Sequence, residues 1–157
     1  MTCRPVHLLI IDPQNDFCDI AGAALPVPGA DADLQRLARF LGHHAAAVAG
    51  ITVTLDSHAT VAVERTTFWL DAAGEAVAPF TFITAEQVRT AEFRPRAENL
   101  AAAVLAMLDQ LAAAGRPGLV VWPVHCVTGT WGHNIHSALA EALAGWELSH
   151  QRAVTKA

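Results

Sequence analysis

Val6-His7-Leu8-Leu9-Ile10-Ile11-Asp12-Pro13-Gln14-Asn15-Asp16-Phe17 is the stretch on which the reading of the whole chain turns. A short, continuous apolar run, residues 6–11, stops abruptly at a carboxylate and a proline. Such a run marks a strand covered on both faces, as parallel sheets require. The same arrangement recurs twice. Residues 51–55 lead into Asp56-Ser57-His58, and residues 119–122 lead into Pro123-Val124-His125-Cys126. In an open parallel sheet, ligands bind beyond the carboxyl ends of the strands. Three strands are therefore expected to deliver acids and imidazoles to one rim, which is the pattern of an enzyme.

The segments between these runs complete an α/β plan. Leu34, Leu37, Leu41, Ala45 and Val48 keep one face apolar over residues 31–48, which predicts a helix stopped by Gly50 and an opening βαβ unit. An insertion or flap at about 58–96 carries Phe68, Trp69, Phe80 and Phe82. Within it, Thr84 and Gln87 have capping-box spacing for a short helix. A helix over 99–114 should end at Gly115 and Pro117. A third parallel strand over 118–122, a helix over 134–143 and a fourth strand over 152–155, with Lys156 just beyond, follow. The fold class is α/β: a three-layer α/β/α arrangement around a mostly parallel sheet. Residues 1–157 form a single domain whose last strand has no helix after it and lies at an open sheet edge. The pattern is that of the N-terminal portion of a longer domain.

Bulk properties narrow the function. The chain has 157 residues, 53% hydrophobic and 16% charged, enough for one folded core and too apolar for disorder. The net charge is −5 and no Lys/Arg run occurs, which argues against nucleic acid or an anionic membrane as partner. No apolar stretch reaches membrane-spanning length, and the N-terminus lacks a signal-peptide pattern, so a cytoplasmic location is expected. Cys3, Cys18 and Cys126 are odd in number and irregularly spaced, and read as free thiols.

Asp12-x-Gln14-x-Asp16-Phe17, Asp56-x-His58 and Trp122-Pro-x-His125-Cys126-x-x-Gly129-Thr130 occur in that order at fitting separations. Together they resemble the nicotinamidase branch of the isochorismatase-like cysteine hydrolases, and the likeness covers nearly the whole chain. The resemblance implies an isochorismatase-like, Rossmann-like fold. It also implies hydrolysis of a small (hetero)aryl amide such as nicotinamide to acid plus ammonia through a Cys thioester. Asp12 matches the family's catalytic Asp, which takes the thiol proton and later activates water. Lys156 matches its catalytic Lys, although Ala157 stands where the family has glycine. Asp56, His58 and His125 match its metal ligands, a donor set suited to a divalent ion such as zinc, iron or manganese. A further ligand is usual six to eleven residues after the Asp; Glu64 could serve as one and Arg65 could not. Phe17 and Trp122 match residues that sandwich a flat ring, against the plainer alternative of two core aromatics.

The nucleophilic Cys of that family lies downstream at a helix N-terminus, where the macrodipole lowers the thiol pKa. No Cys of this chain occupies such a place. Cys126 corresponds to a structural residue. As nucleophile it ranks last, because adjacent residues on an extended segment point to opposite sides and His125 could not easily serve it. His43, His44, His133, His136 and His150 read as surface or background histidines. The leading expectation is a nicotinamidase-like amidohydrolase seen as its front part. The alternative is a catalytically inactive partner chain that binds metal, forms a homo-oligomer, or takes up a complementary C-terminal segment through its open sheet edge.

Overall fold

The computed structural model describes residues 6–157; the reading of Cys3 as a free thiol lies outside them. In chain order the elements are β1 (Val6–Ile10), α1 (Ala30–His44), β2 (Val48–Val53), β3 (Trp69–Asp71), β4 (Phe82–Thr84), α2 (Ala85–Arg89), β5 (Phe93–Pro95), α3 (Ala101–Ala113), β6 (Gly118–Val120), α4 (Ser137–His150) and β7 (Thr155–Lys156). The chain divides into two compact units. One comprises the residues up to Ser57 together with His125–Ala157, and the other is His58–Val124.

The first unit is α/β and holds a parallel sheet of order β1-β2-β7. Leu8 pairs with Ile51, Ile10 with Val53, and Val53 in turn with Lys156. Ile10, Ile51 and Val53 bury themselves with Leu41 of α1 and Leu139, Leu143 and Trp146 of α4. The alternate residues of β1 and its extension, His7, Leu9 and Ile11, are exposed. The expected βαβ opening is thus present, with shifted ends. The helix stops at His44, a 3-10 turn covers Ala45–Ala47, and Val48 begins the strand. Val48 is buried as a strand residue, its carbonyl accepting the Trp146 indole N–H at 3.1 Å. Gly50 does not end the helix. It lies inside β2, where the His7 ring would sit 2.6 Å from any Cβ, so only glycine lets the ring lie across the strand.

The last helix is Ser137–His150, not residues 134–143, and ends at Gln151 in the left-handed region (φ 50°). The last strand holds Thr155 and Lys156 instead of ending before Lys156.

The second unit has its own core of Trp69, Val77, Ile83, Val104, Leu108 and Val121. Here one expectation is overturned. The third apolar run does not add to the parallel sheet among the described residues. Its strand β6 pairs antiparallel with β4, Phe82 opposite Val120 and Thr84 opposite Gly118. A Cβ on Gly118 would overlap the Ile83 carbonyl oxygen, so this pairing depends on glycine at the strand start. A three-residue strand carries too little pattern to declare its partner. The capping box is found as read: Gln87 N–H donates to Thr84 Oγ1 at 3.3 Å, and Thr84 N–H to Gln87 Oε1 at 3.0 Å. The helix read over 99–114 is Ala101–Ala113 behind a 3-10 turn, with Gly115 at φ 77° beyond it. Trp69 is fully buried, its indole N–H donating to Val63 O at 2.6 Å; it is core, not flap surface.

Candidate functional site

The candidate residues of the first unit gather where β1 and β2 end. Asp12 turns sharply out of the strand with φ 47°, a conformation costly for any residue but glycine and one in which Asp is among the more tolerant. Thr54, one residue past β2, holds it there. The Thr54 hydroxyl donates to Asp12 Oδ1 at 2.6 Å and accepts the Asp12 N–H at 3.1 Å. The carboxylate so held is half-buried.

Asp56 and His125 meet in the same unit. Asp56 Oδ2 lies 3.2 Å from His125 Nε2, with His125 buried and Asp56 half-buried. The spacing bears on whether a cation fits. Metal–ligand bonds of about 2.0–2.1 Å at a tetrahedral angle separate neighbouring donor atoms by about 3.3 Å. The 3.2 Å between the carboxylate oxygen and the imidazole nitrogen matches that spacing, and matches a carboxylate–imidazole hydrogen bond equally well. The Phe17 ring stands against His125, ring centres 5.6 Å apart and tilted 60°. Phe17 also lines a cavity of about 330 Å³ beside Asp12, whose lining includes the apolar Ile11, Val27 and Leu34 and the carboxylate of Asp33.

The segment after Asp12 is buried and polar. Gln14 is fully buried and bonded to the backbone of Asp56 and to His133 O; Asp16, 6% exposed, accepts from the Cys126 and Ala24 N–H groups. Asn15 donates from its side chain to Trp131 O at 2.8 Å. Nothing in the order of residue types distinguishes these roles from surface polarity in a turn. Two more groups escaped sequence reasoning. His136, read as a surface residue, is buried, its Nε2 2.9 Å from Asp31 Oδ1 at the start of α1. His133 Nε2 lies 2.8 Å from Ser57 Oγ.

Lys156 is exposed on β7, across β2 from Ile10. Two strand spacings of about 4.8 Å separate β7 from β1. No ion pair joins Lys156 to Asp12 among the described residues. The thiols are both buried. Burial, then the charges of Asp31 and Asp19, push the Cys18 thiol up, which disfavours its thiolate. Its Sγ donates to Gln14 O at 3.3 Å. Cys126 is fully buried at φ 49°, its backbone N–H held by Asp16.

Within the second unit, His58 Nδ1 lies 3.7 Å from Glu64 Oε1, and the same oxygen is 3.6 Å from Arg65 Nε. Arg65 is buried and donates to Pro123 O at 3.3 Å. Trp122 N–H donates to Glu64 O at 2.7 Å, and the Trp122 ring, 39% exposed, meets Phe80 edge-on at 5.8 Å. Among the described residues no helix is long and apolar enough to cross a membrane.

No family model matches the chain, and no curated protein matches it by sequence. Solved structures do match. The structure of a yeast nicotinamidase is similar over 96% of this chain and 56% of its own, with a TM-score of 0.54 and 17% identity. The same yeast nicotinamidase bound to the inhibitor nicotinaldehyde gives the same coverages, a TM-score of 0.51 and 19% identity. A nicotinamidase from Acinetobacter baumanii is similar over 85% of this chain and 45% of its own, with a TM-score of 0.46 and 22% identity. The chain thus shares the α/β fold of the yeast nicotinamidase structures and spans 56% of the length of those chains.

Proposed function

We infer that this chain is the front portion of a nicotinamidase-like amidohydrolase, with 1–157 belonging to one hydrolase domain. Its substrate is a small (hetero)aryl amide, released as acid and ammonia. The observation that carries this reading is Phe17: one ring borders both the cavity beside Asp12 and the His125 imidazole that faces Asp56. A planar substrate in that cavity would stack on Phe17, and its reacting carbonyl would come within reach of Asp12. Trp122 is the proposed second wall for the ring.

Asp56, His58 and His125 would hold a divalent ion, zinc, iron or manganese, as a carboxylate and two imidazoles. His58 is two residues from Asp56, and so within about 7 Å of it by covalent reach alone. Glu64 stands beside His58, where it orients the imidazole or adds a carboxylate ligand. Such an ion, when bound, would anchor a ring nitrogen and polarise the substrate. Asp12, its orientation fixed by Thr54, would accept a proton from the attacking thiol and later from water. Lys156 would stabilise the thiolate. The thiol itself is not supplied by Cys18 or Cys126, and a complementary segment bearing it is the partner this reading requires.

Metal content and nicotinamide binding of the purified chain test the reading, with ammonia release followed in the same samples. One divalent ion per chain, lost in His125→Ala, and nicotinamide binding weakened about threefold to tenfold in Phe17→Ala are expected. Ammonia should appear only when the thiol-bearing segment is added. A chain that binds neither ion nor nicotinamide would defeat the proposal. Ammonia release by the chain alone, abolished in Cys126→Ser, would transfer the nucleophile's role to Cys126.

A further inference from the structure

Gln14 and Asp16 are buried polar residues whose side chains bond to the backbone of Asp56, His133, Cys126 and Ala24. The Gln14 side-chain oxygen accepts the Asp56 N–H at 2.8 Å, and its nitrogen donates to Asp56 O at 2.8 Å and to His133 O at 3.0 Å. Asp56 is thus gripped on both sides of its Cα, so its carboxylate departs from a fixed point. Asp16 Oδ2 accepts the Cys126 N–H at 2.7 Å, and Oδ1 accepts the Ala24 N–H at 3.0 Å. The Cys126 N–H belongs to the rigid peptide plane that begins at the His125 Cα, so holding it fixes the direction in which His125 leaves the chain. The Asp16 carboxylate lies where a Cβ of residue 132 would stand, which explains why Gly132 is a glycine.

We propose that Gln14 and Asp16 are positioning residues: from one short segment they set the separation of the Asp56 carboxylate and the His125 imidazole at the value one divalent ion spans. The proposal rests on the metal reading above. Asp56 and His125 are carried by loops far apart in sequence, whose ends would otherwise be free to drift. Two residues of one turn replace that long path with a covalent distance of about 7 Å between their Cα atoms. Side chains that orient ligands without touching the ion govern affinity strongly.

Cobalt(II) is the probe, read by its visible absorption bands on titration into the whole chain, with backbone amide exchange followed by NMR. In the wild type, cobalt binds and the Asp56 and Cys126 amides exchange slowly. Gln14→Met should free the Asp56 amide and Asp16→Asn should loosen the Cys126 amide. Each should weaken cobalt about tenfold to a hundredfold and alter the band shape, with circular dichroism preserved. Gln14→Glu keeps an oxygen facing the Asp56 N–H and should recover part of the affinity. Leu41→Ala, a core substitution away from the turn, should lower Tm and leave band shape and affinity unchanged. Cobalt binding in Gln14→Met and Asp16→Asn as tight as in the wild type, with the same bands, would overturn the positioning role alone. Fast exchange of both amides in the native wild type would do so as well. A wild type that takes up no cobalt would overturn the metal reading, and the positioning role with it.

Discussion

Asp12 is held in a backbone conformation it would not choose, and Thr54 is what holds it. Removing that hydroxyl while keeping the side-chain shape isolates its contribution. Thr54→Val should destabilise the chain by about 1–2 kcal/mol, read from urea unfolding, because it leaves both the Asp12 N–H and its carboxylate without their partner. Gly132→Ala should cost about 1–3 kcal/mol in the same experiment, since the new methyl must displace the buried Asp16 carboxylate. At this scale the chain announces Asp12, Asp56 and His125, because a polar group directly after an apolar run is a local signal. Thr54 and Gly132 carry no such mark: a threonine after a strand and a glycine in a loop are ordinary. Their roles depend on the neighbour that the fold delivers, and that neighbour is distant in sequence.

The start of α1 shows the same lesson in a whole helix. Gly29 stands at its N-cap in the left-handed region with no side-chain cap, and the exposed N–H groups of Gly29 and Asp31 are taken instead by the Asp19 carboxylate, at 2.8 and 2.9 Å. Those two bonds hold the Asp19 carboxyl below the usual carboxylate range. A group whose pKa is lowered by folding stabilises the fold above its unfolded pKa, and that stabilisation is lost as pH falls through the folded value. Asp19→Asn should therefore lower Tm at pH 7, and the gap to the wild type should close as the pH is taken below about 4. Helix periodicity made α1 legible, but its end was not. The Ala-rich stretch Ala45–Ala47 continues the helical pattern, and only the burial of Val48 beside Ile51 and Trp146 decides that a strand begins there. The partner of β6 was illegible for a similar reason: parallel and antiparallel pairing of a three-residue run differ in what lies opposite, not in the run itself.

Across the molecule, two hydrophobic clusters do the work expected of one. Leu143 lies in the cluster with Ile10, Val53 and Trp146; Leu108 lies in that with Trp69, Ile83 and Val121. Leu143→Ala and Leu108→Ala should each cost about 2–5 kcal/mol, measured by chemical unfolding. Residue-resolved hydrogen exchange should show the first loosening β1, β2 and α4, and the second β4, β6 and α3. The α/β class was readable because short apolar runs and amphipathic helices leave traces in the sequence, although one face of β1 is exposed where burial on both faces was expected. The end of the second unit at Val124 was not readable, since composition does not change there and that boundary follows from which residues pack together. The likeness to nicotinamidase structures covers nearly all of this chain and about half of theirs, so the activity of a longer protein is a matter for assay rather than for the shared fold.

Cys126 is sealed from solvent one residue after the buried His125, with its amide tied to Asp16. An alkylating reagent can reach that sulfur only when the loop lifts away. In a chain carrying Cys3→Ser, with Cys18 identified separately by mass, the rate at which Cys126 is capped becomes a clock for the opening of this loop. The clock needs no probe larger than the thiol already there, and it would run slower whenever a bound ion holds the loop shut.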